Sequence, residues 1–284
     1  MKHAHTTLVS VATLAGHLAD PDWVIFDCRH ELANPEAGVA AYATGHIPGA
    51  RFLHCDRDLS GAKTGGNGRH PMPDRAALLA TLRAAGVSDH SQVVAYDAAG
   101  GMFAARLWWL LRWLGHERVA LLDGGLQAWQ AAGLGLDAAQ PGPAAGTLGD
   151  HPSLVAMVDA GGVLARLADP TLCLVDARGP ERFRGDVEPI DPVAGHIPGA
   201  RNRPFPTNLQ ADGRFKPAPQ LRDEWLAVLG GAPADQVIHQ CGSGVSACQN
   251  VLAMEIAGLH GARLYPGSWS EWCADPARPV ARGG

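Results

Sequence analysis

No apolar run in this 284-residue chain reaches the ~20 residues a membrane-spanning helix needs. The longest candidate, residues 107–114, is cut by Arg112. Residues 1–20 carry histidines and threonines but no basic stretch followed by an apolar block, so no export signal is expected and a cytoplasmic location is the default. None of the six cysteines (Cys28, Cys55, Cys173, Cys241, Cys248, Cys273) pairs with another at C-x-x-C spacing, which argues against a zinc or thioredoxin-type site. Without an export signal, reduced thiols are expected. Basic residues are not in excess. A net charge of −5 excludes a non-specific nucleic-acid binder, and neither a nucleic acid nor a membrane is an expected partner. Thirteen histidines are scattered rather than clustered, so no metal site is expected.

What the chain does have is an internal repeat. Gly45-His46-Ile47-Pro48-Gly49-Ala50-Arg51 returns 150 residues later as Gly195-His196-Ile197-Pro198-Gly199-Ala200-Arg201. Asp27-Cys28-Arg29 precedes the first copy and Asp176-Ala177-Arg178 the second. Val93-Val94-Ala95-Tyr96-Asp97 answers to Val237-Ile238-His239-Gln240-Cys241. Leu122-Asp123-Gly124-Gly125 answers to Tyr265-Pro266-Gly267-Ser268. Four landmarks in one order indicate a tandem duplication. Residues 137–146, rich in Pro, Gly and Ala without periodic apolar positions, read as the linker. The expected domains are therefore 1–145 and 146–284.

Short continuous runs of Val, Ile and Leu at 23–26, 93–96, 172–175 and 237–239 suit strands buried on both faces. Helical stretches are expected at 74–85, 102–114, 220–229 and 245–257. Alternation of the two predicts an α/β fold, each copy a mainly parallel sheet flanked by helices. Ligands of such sheets bind at the carboxyl ends of the strands. Cys241 is expected at one such end.

The segment Gln240-Cys241-Gly242-Ser243-Gly244-Val245-Ser246 combines a nucleophile with two glycines that let the backbone curl. A curled loop turns successive N–H groups inward as an anion-binding nest. The following helix adds its positive dipole end. Both favour a thiolate. The first copy has Asp97 at the matching position and so keeps a loop without a nucleophile; it is expected to be non-catalytic. The Gly-His-Ile-Pro-Gly histidines occur in both copies and are expected to be satisfied by local backbone. Trp269 and Trp272 are expected to wall the cleft.

These motifs resemble the tandem-domain rhodanese superfamily of sulfurtransferases over almost the whole chain. The resemblance implies that Cys241 accepts sulfur as a persulfide from a small anionic donor. The sulfur then passes to cyanide or to a thiol such as reduced thioredoxin, with no metal or organic cofactor. It also implies ping-pong kinetics. Cys241-Gly242-Ser243-Gly244-Val245-Ser246 is similar to the 3-mercaptopyruvate type, and a thiosulfate-preferring enzyme is the alternative. By the same resemblance Arg182 grips the donor's anionic end, and Arg184 is a second candidate. Gly242, Gly244, Val245 and Ser246 cradle the sulfur. Ser243, His70 and Asp58 form a proton relay. A second arginine often found before the Gly-His-Ile-Pro-Gly motif has no match in residues 188–193.

Two other functions compete. Phosphatases with a cysteine loop need Cys-x5-Arg, and the matching position here is Ala247. A non-enzymatic sulfur-relay or binding module would take its sulfur only from a protein partner.

Overall fold

The computed structural model describes residues 4–142 and 145–284. Pro143 and Ala144, inside the expected linker, lie outside the described residues, as do Met1, Lys2 and His3. The chain forms two compact units. The first comprises Met1–Gly61, Pro73–Leu154 and Leu209–Phe215; the second comprises Ala62–Met72, Val155–Asn208 and Lys216–Gly284. The units divide in sequence after Leu154 rather than near 145. Backbone bonds explain this: the N–H groups of Gly146, Leu148, His151 and Leu154 donate to carbonyls of Arg83, Val87, Leu114 and Arg112 in the first unit. The segment has no periodicity because it forms no element of its own.

The first sheet contains β1 (Leu8–Val9), β2 (Trp23–Asp27), β3 (Arg51–Phe52), β4 (Gln92–Tyr96) and β5 (Val119–Leu122), in the order β1-β5-β4-β2-β3. The second contains β6 (Ala156–Met157), β7 (Cys173–Asp176), β8 (Arg201–Asn202), β9 (Val237–Gln240) and β10 (Arg263–Leu264), in the order β6-β10-β9-β7-β8. Every pairing is parallel. The topologies are identical when each strand number is advanced by five. The repeat seen in the sequence is thus a repeat of the fold.

Each run of Val, Ile and Leu became a strand because both of its faces are covered. Every residue of β4, β7 and β9 is buried. The expected helices form at Arg75–Ala84, Met102–Trp113, Ala218–Leu229 and Ser246–Ile256. Asp74 caps the first of these by accepting the N–H of Ala77 at 2.9 Å. The helix Met102–Trp113 is buried from Phe103 to Leu111, which accounts for Trp108 and Trp109 as packing.

The Gly-His-Ile-Pro-Gly motif is structural in both units. Its isoleucine, Ile47 or Ile197, is fully buried, worth about 1.5–3 kcal/mol each. His46 Nδ1 lies 2.8 Å from the Tyr42 carbonyl, and His196 Nδ1 lies 2.7 Å from that of Phe183. Each imidazole stacks on the ring of that same partner residue, at 3.9 Å. The strand-end pairs repeat as well. Arg29 pairs with Asp27 and donates to the Gly45 carbonyl at 2.7 Å. Arg178 pairs with Asp176 and donates to that of Gly195 at 2.8 Å. Asp-x-Arg is therefore the clip that ties the motif to the end of β2 or β7.

Candidate active site

Cys241 follows the last residue of β9, and the helix Ser246–Ile256 begins five residues later. All residues from 241 to 250 are buried. Gly244 adopts φ +73°, and a Cβ there would overlap the Pro266 carbonyl, so the turn needs glycine. The loop is laced to the turn after β10. The Cys241 N–H donates to Ser268 Oγ at 3.0 Å. The N–H groups of Trp269 and Ser270 donate to the carbonyls of Cys241 and Gly242 at 3.0 and 2.9 Å. Ser268 has φ 54°, the only non-glycine residue with positive φ among those described. The matching position in the first unit is Gly125, with φ 58°. Serine accepts the strained conformation here, and its hydroxyl holds the backbone of the cysteine.

Among the described residues, the N–H groups of Gly242, Ser243, Val245 and Ser246 donate to no protein acceptor. Buried N–H groups are rarely left so. Four of them beside one thiol make a cradle for negative charge, helped by the helix N-terminus.

Ser243 and His70 come together: Ser243 Oγ and His70 Nδ1 are 2.7 Å apart, both buried. His70 belongs to the second unit although it precedes most of it in sequence. Asp58 belongs to the first unit, where its carboxylate accepts the His54 N–H at 2.7 Å.

Arg182, on the helix Pro180–Arg184, reaches the loop. Its Nη1 lies 3.5 Å from where a Cβ on Gly242 would stand. Glu188 and Asp191 hold it, at 2.8 and 3.0 Å. Arg184 takes another direction: it pairs with Asp186 at 2.7 Å and lines a separate cavity of about 290 Å³ with Phe183 and His196. Positions i and i+2 of a helix do not share a face, so two arginines so spaced cannot both aim at one loop.

Sequence reasoning missed Arg69. Its Nη2 is 2.8 Å from the same Cβ position on Gly242, its Nη1 pairs with Asp191, and its N–H donates to Ser270 Oγ at 3.0 Å. The only signal was its adjacency to His70. It also missed Glu188 and Asp191. Burial raises the Asp191 carboxyl against the pull of Arg69. Burial also acts on Glu188, but hydrogen bonds from Arg182 and from the N–H groups of Asp191 and Ile190 win and hold it below the usual carboxylate range.

Trp269 and Trp272 do not wall a cleft. Both are fully buried in the second unit's core with Ile197, Ile238 and Tyr265. The turn after β10 directs the indoles under the sheet, where Trp269 Nε1 donates to the Val193 carbonyl at 2.9 Å. In the first unit His30, His54 and Asp56 are close enough to share an ion. Yet both His54 ring nitrogens are engaged, Nε2 at 3.1 Å from the Pro35 carbonyl and Nδ1 at 3.1 Å from the Asp56 N–H.

Two tandem units of one parallel α/β topology, the second with a buried cysteine loop at the carboxyl end of a strand, define a class of duplicated α/β folds. The rhodanese-like domain model matches residues 10–132 and 159–275, and the chain belongs to that family. It is 50% identical over 278 residues to a probable 3-mercaptopyruvate sulfurtransferase of Pseudomonas aeruginosa, covering 97% of this chain and 98% of that one. It is 44% identical over 287 residues to a putative thiosulfate sulfurtransferase, SseB, of Mycobacterium tuberculosis, covering 97% of each. Among solved structures it resembles SseA from Escherichia coli, with a TM-score of 0.80 and 32% identity over 93% of this chain and 99% of that one.

Proposed function

We propose that the protein is a sulfurtransferase that moves a sulfane sulfur from 3-mercaptopyruvate, or from thiosulfate as the alternative donor, to a thiol or cyanide through a persulfide on Cys241. The observation that carries this reading is the cradle of four unpartnered, buried N–H groups around Cys241, flanked by guanidinium groups.

The chemistry follows from that arrangement. The donor's carboxylate or sulfonate docks on Arg182 Nη1, which is turned toward Gly242, while Glu188 holds the Nε and Nη2 of the same guanidinium. Cys241 Sγ attacks the transferable sulfur. An S–S bond forms as the bond from that sulfur to the donor's carbon, or to its sulfonate sulfur, breaks. The electron pair leaves with pyruvate enolate or with sulfite. The loop N–H groups stabilise the charge on the persulfide. With mercaptopyruvate, a proton must move from sulfur to the enolate carbon, and Ser243 with His70 supplies a path. Thiosulfate carries no such proton. A thiolate, with reduced thioredoxin as one candidate, or cyanide then takes the outer sulfur and restores the Cys241 thiolate. No step calls for a metal or an organic cofactor. Among the described residues no helix is long and apolar enough to cross a membrane, and a cytoplasmic site of action is part of this proposal.

The test is intact mass after incubation with each donor alone. Wild type gains one sulfur and Cys241→Ser gains none. His70→Asn slows persulfide formation from mercaptopyruvate by about 100-fold, the usual range for losing a general acid or base, and leaves thiosulfate within a few fold. No sulfur gain by wild type from either donor defeats the reading and favours a relay module fed by a protein.

A further inference from the structure

We propose that Arg69 is a donor-binding residue, forming with Arg182 a two-guanidinium clamp whose spacing is set by Asp191. This rests on the sulfur-transfer reading of the Cys241 loop.

Three observations carry it. The guanidinium groups of Arg69 and Arg182 both stand over Gly242, at 2.8 and 3.5 Å from where its Cβ would be. The absence of a side chain at Gly242 is what leaves them room beside Cys241. Both arginines bind one carboxylate: Arg182 Nη2 donates to Asp191 Oδ2 at 3.0 Å, and Arg69 Nη1 donates to Asp191 Oδ1. Asp191 is itself 3% exposed, so it is a fixed bridge rather than a surface ion pair. Finally, Arg69 is anchored from behind, its N–H held by Ser270 Oγ, and the Ser270 N–H is bonded to the Gly242 carbonyl. The clamp and the loop are therefore parts of one hydrogen-bonded frame.

Each guanidinium has five N–H donors, and the bridge to Asp191 engages only part of each. An anion placed over Gly242 meets Arg69 Nη2 and Arg182 Nη1, the Arg182 nitrogen that Glu188 and Asp191 leave open, and takes charge-assisted hydrogen bonds from both. The carboxylate of mercaptopyruvate and the sulfonate of thiosulfate share this chemistry, and separate titrations distinguish them. Residues 188–193 contain no arginine. The second cation at this site comes instead from residues 62–72, which belong to the second unit.

The experiment has two arms. In single-turnover persulfide formation, Arg69→Gln should raise the half-saturating donor concentration about 10- to 100-fold, as expected for losing a charge-assisted hydrogen bond. The maximal rate should change much less. Arg69→Lys, which keeps the charge without the fork, should fall between. The donor showing the larger shift is the one the clamp is built for. In calorimetric titration, pyruvate and sulfite serve as probes with no sulfur to transfer, and Arg69→Gln should bind both more weakly than wild type. Thermal unfolding verifies that each variant is folded; if Arg69→Gln is not, Arg69→Lys decides by the same two readouts. Half-saturation within twofold of wild type, or equal probe binding by wild type and variant, overturns the clamp. Arg69-dependent probe binding in a protein that gains no sulfur from either donor leaves the clamp standing and sinks the sulfur-transfer reading instead.

Discussion

The loops after β4 and β9 share a backbone design and differ in what fills it. In the first unit Asp97 takes the position of the cysteine and closes the loop on itself. Its Oδ1 accepts the N–H groups of Ala99 and Gly101 at 2.8 and 2.9 Å, and its Oδ2 those of Phe103 and Ala104 at 2.8 and 2.9 Å. In the second unit the residue is Cys241, and four loop N–H groups have no such acceptor. The loops share two donor positions, Ala99 and Gly101 answering to Ser243 and Val245, which meet a built-in anion in the first loop and none in the second. An internal carboxylate makes a rigid, inert turn. Its replacement by a thiol leaves donors for charge that arrives with the reaction. Ser268 extends the contrast: it keeps the left-handed backbone of its counterpart Gly125 and adds the hydroxyl that holds Cys241.

The largest effect that sharpens this comparison comes from emptying the first cradle. Asp97→Ala removes the acceptor of four N–H groups at once, those of Phe103 and Ala104 buried and those of Ala99 and Gly101 part-buried. Burial already pushes the Asp97 carboxyl up, against the pull of those N–H groups, so little else compensates. A loss of about 3–5 kcal/mol is expected, more than one ordinary hydrogen bond contributes. Urea unfolding measures it. A loss below about 1 kcal/mol would mean that the first loop does not depend on its internal anion.

A smaller effect is expected from Gly244→Ala. The added Cβ meets the Pro266 carbonyl and the residue would sit at φ +73°. The expected cost is about 1–3 kcal/mol. Persulfide formation should slow as well, because the loop must shift to relieve the overlap. Unchanged kinetics together with unchanged stability would show that the loop is looser than its hydrogen bonds suggest.

Much of this comparison was legible in the sequence, for a physical reason. Parallel strands covered on both faces must be continuous apolar runs, so β2, β4, β7 and β9 were placed to within a residue or two. The turns that follow β4 and β9 are punctuated by glycine, which located Asp97 and Cys241. The Asp-x-Arg clip was visible because duplication wrote it twice. What was illegible came from segments with no period. Residues 62–72 form no helix or strand, so nothing in them announced Arg69, and only the family resemblance paired His70 with Ser243, more than 170 residues later. Arg184 is near Arg182 in sequence, but helical geometry turns it away to Asp186. Trp269 and Trp272 follow a turn, and a turn alone does not say which side of the sheet it leads to.

The smallest effect separates the two units by pH. His239, on β9 two residues before Cys241, is fully buried, with Nε2 3.0 Å from Met254 Sδ and its ring edge-on to Trp225. Burial lowers its pKa to about 3. Its counterpart on β4 is Ala95, so the first sheet carries no such group there. Because the folded-state pKa lies below the unfolded value of 6.5, the unfolded chain binds the proton first. This group therefore costs nothing above pH 6.5 and destabilises the fold progressively as pH falls from 6.5 toward 3. The slope is about 1 kcal/mol per pH unit. His239→Leu should remove that slope, so the stability difference between variant and wild type should grow in favour of the variant as the buffer is taken from pH 7 to pH 5. Chemical denaturation across that range reads it directly. A difference independent of pH would show that His239 takes up its proton in the folded state as readily as in the unfolded chain, and that β9 is less tightly sealed than β4.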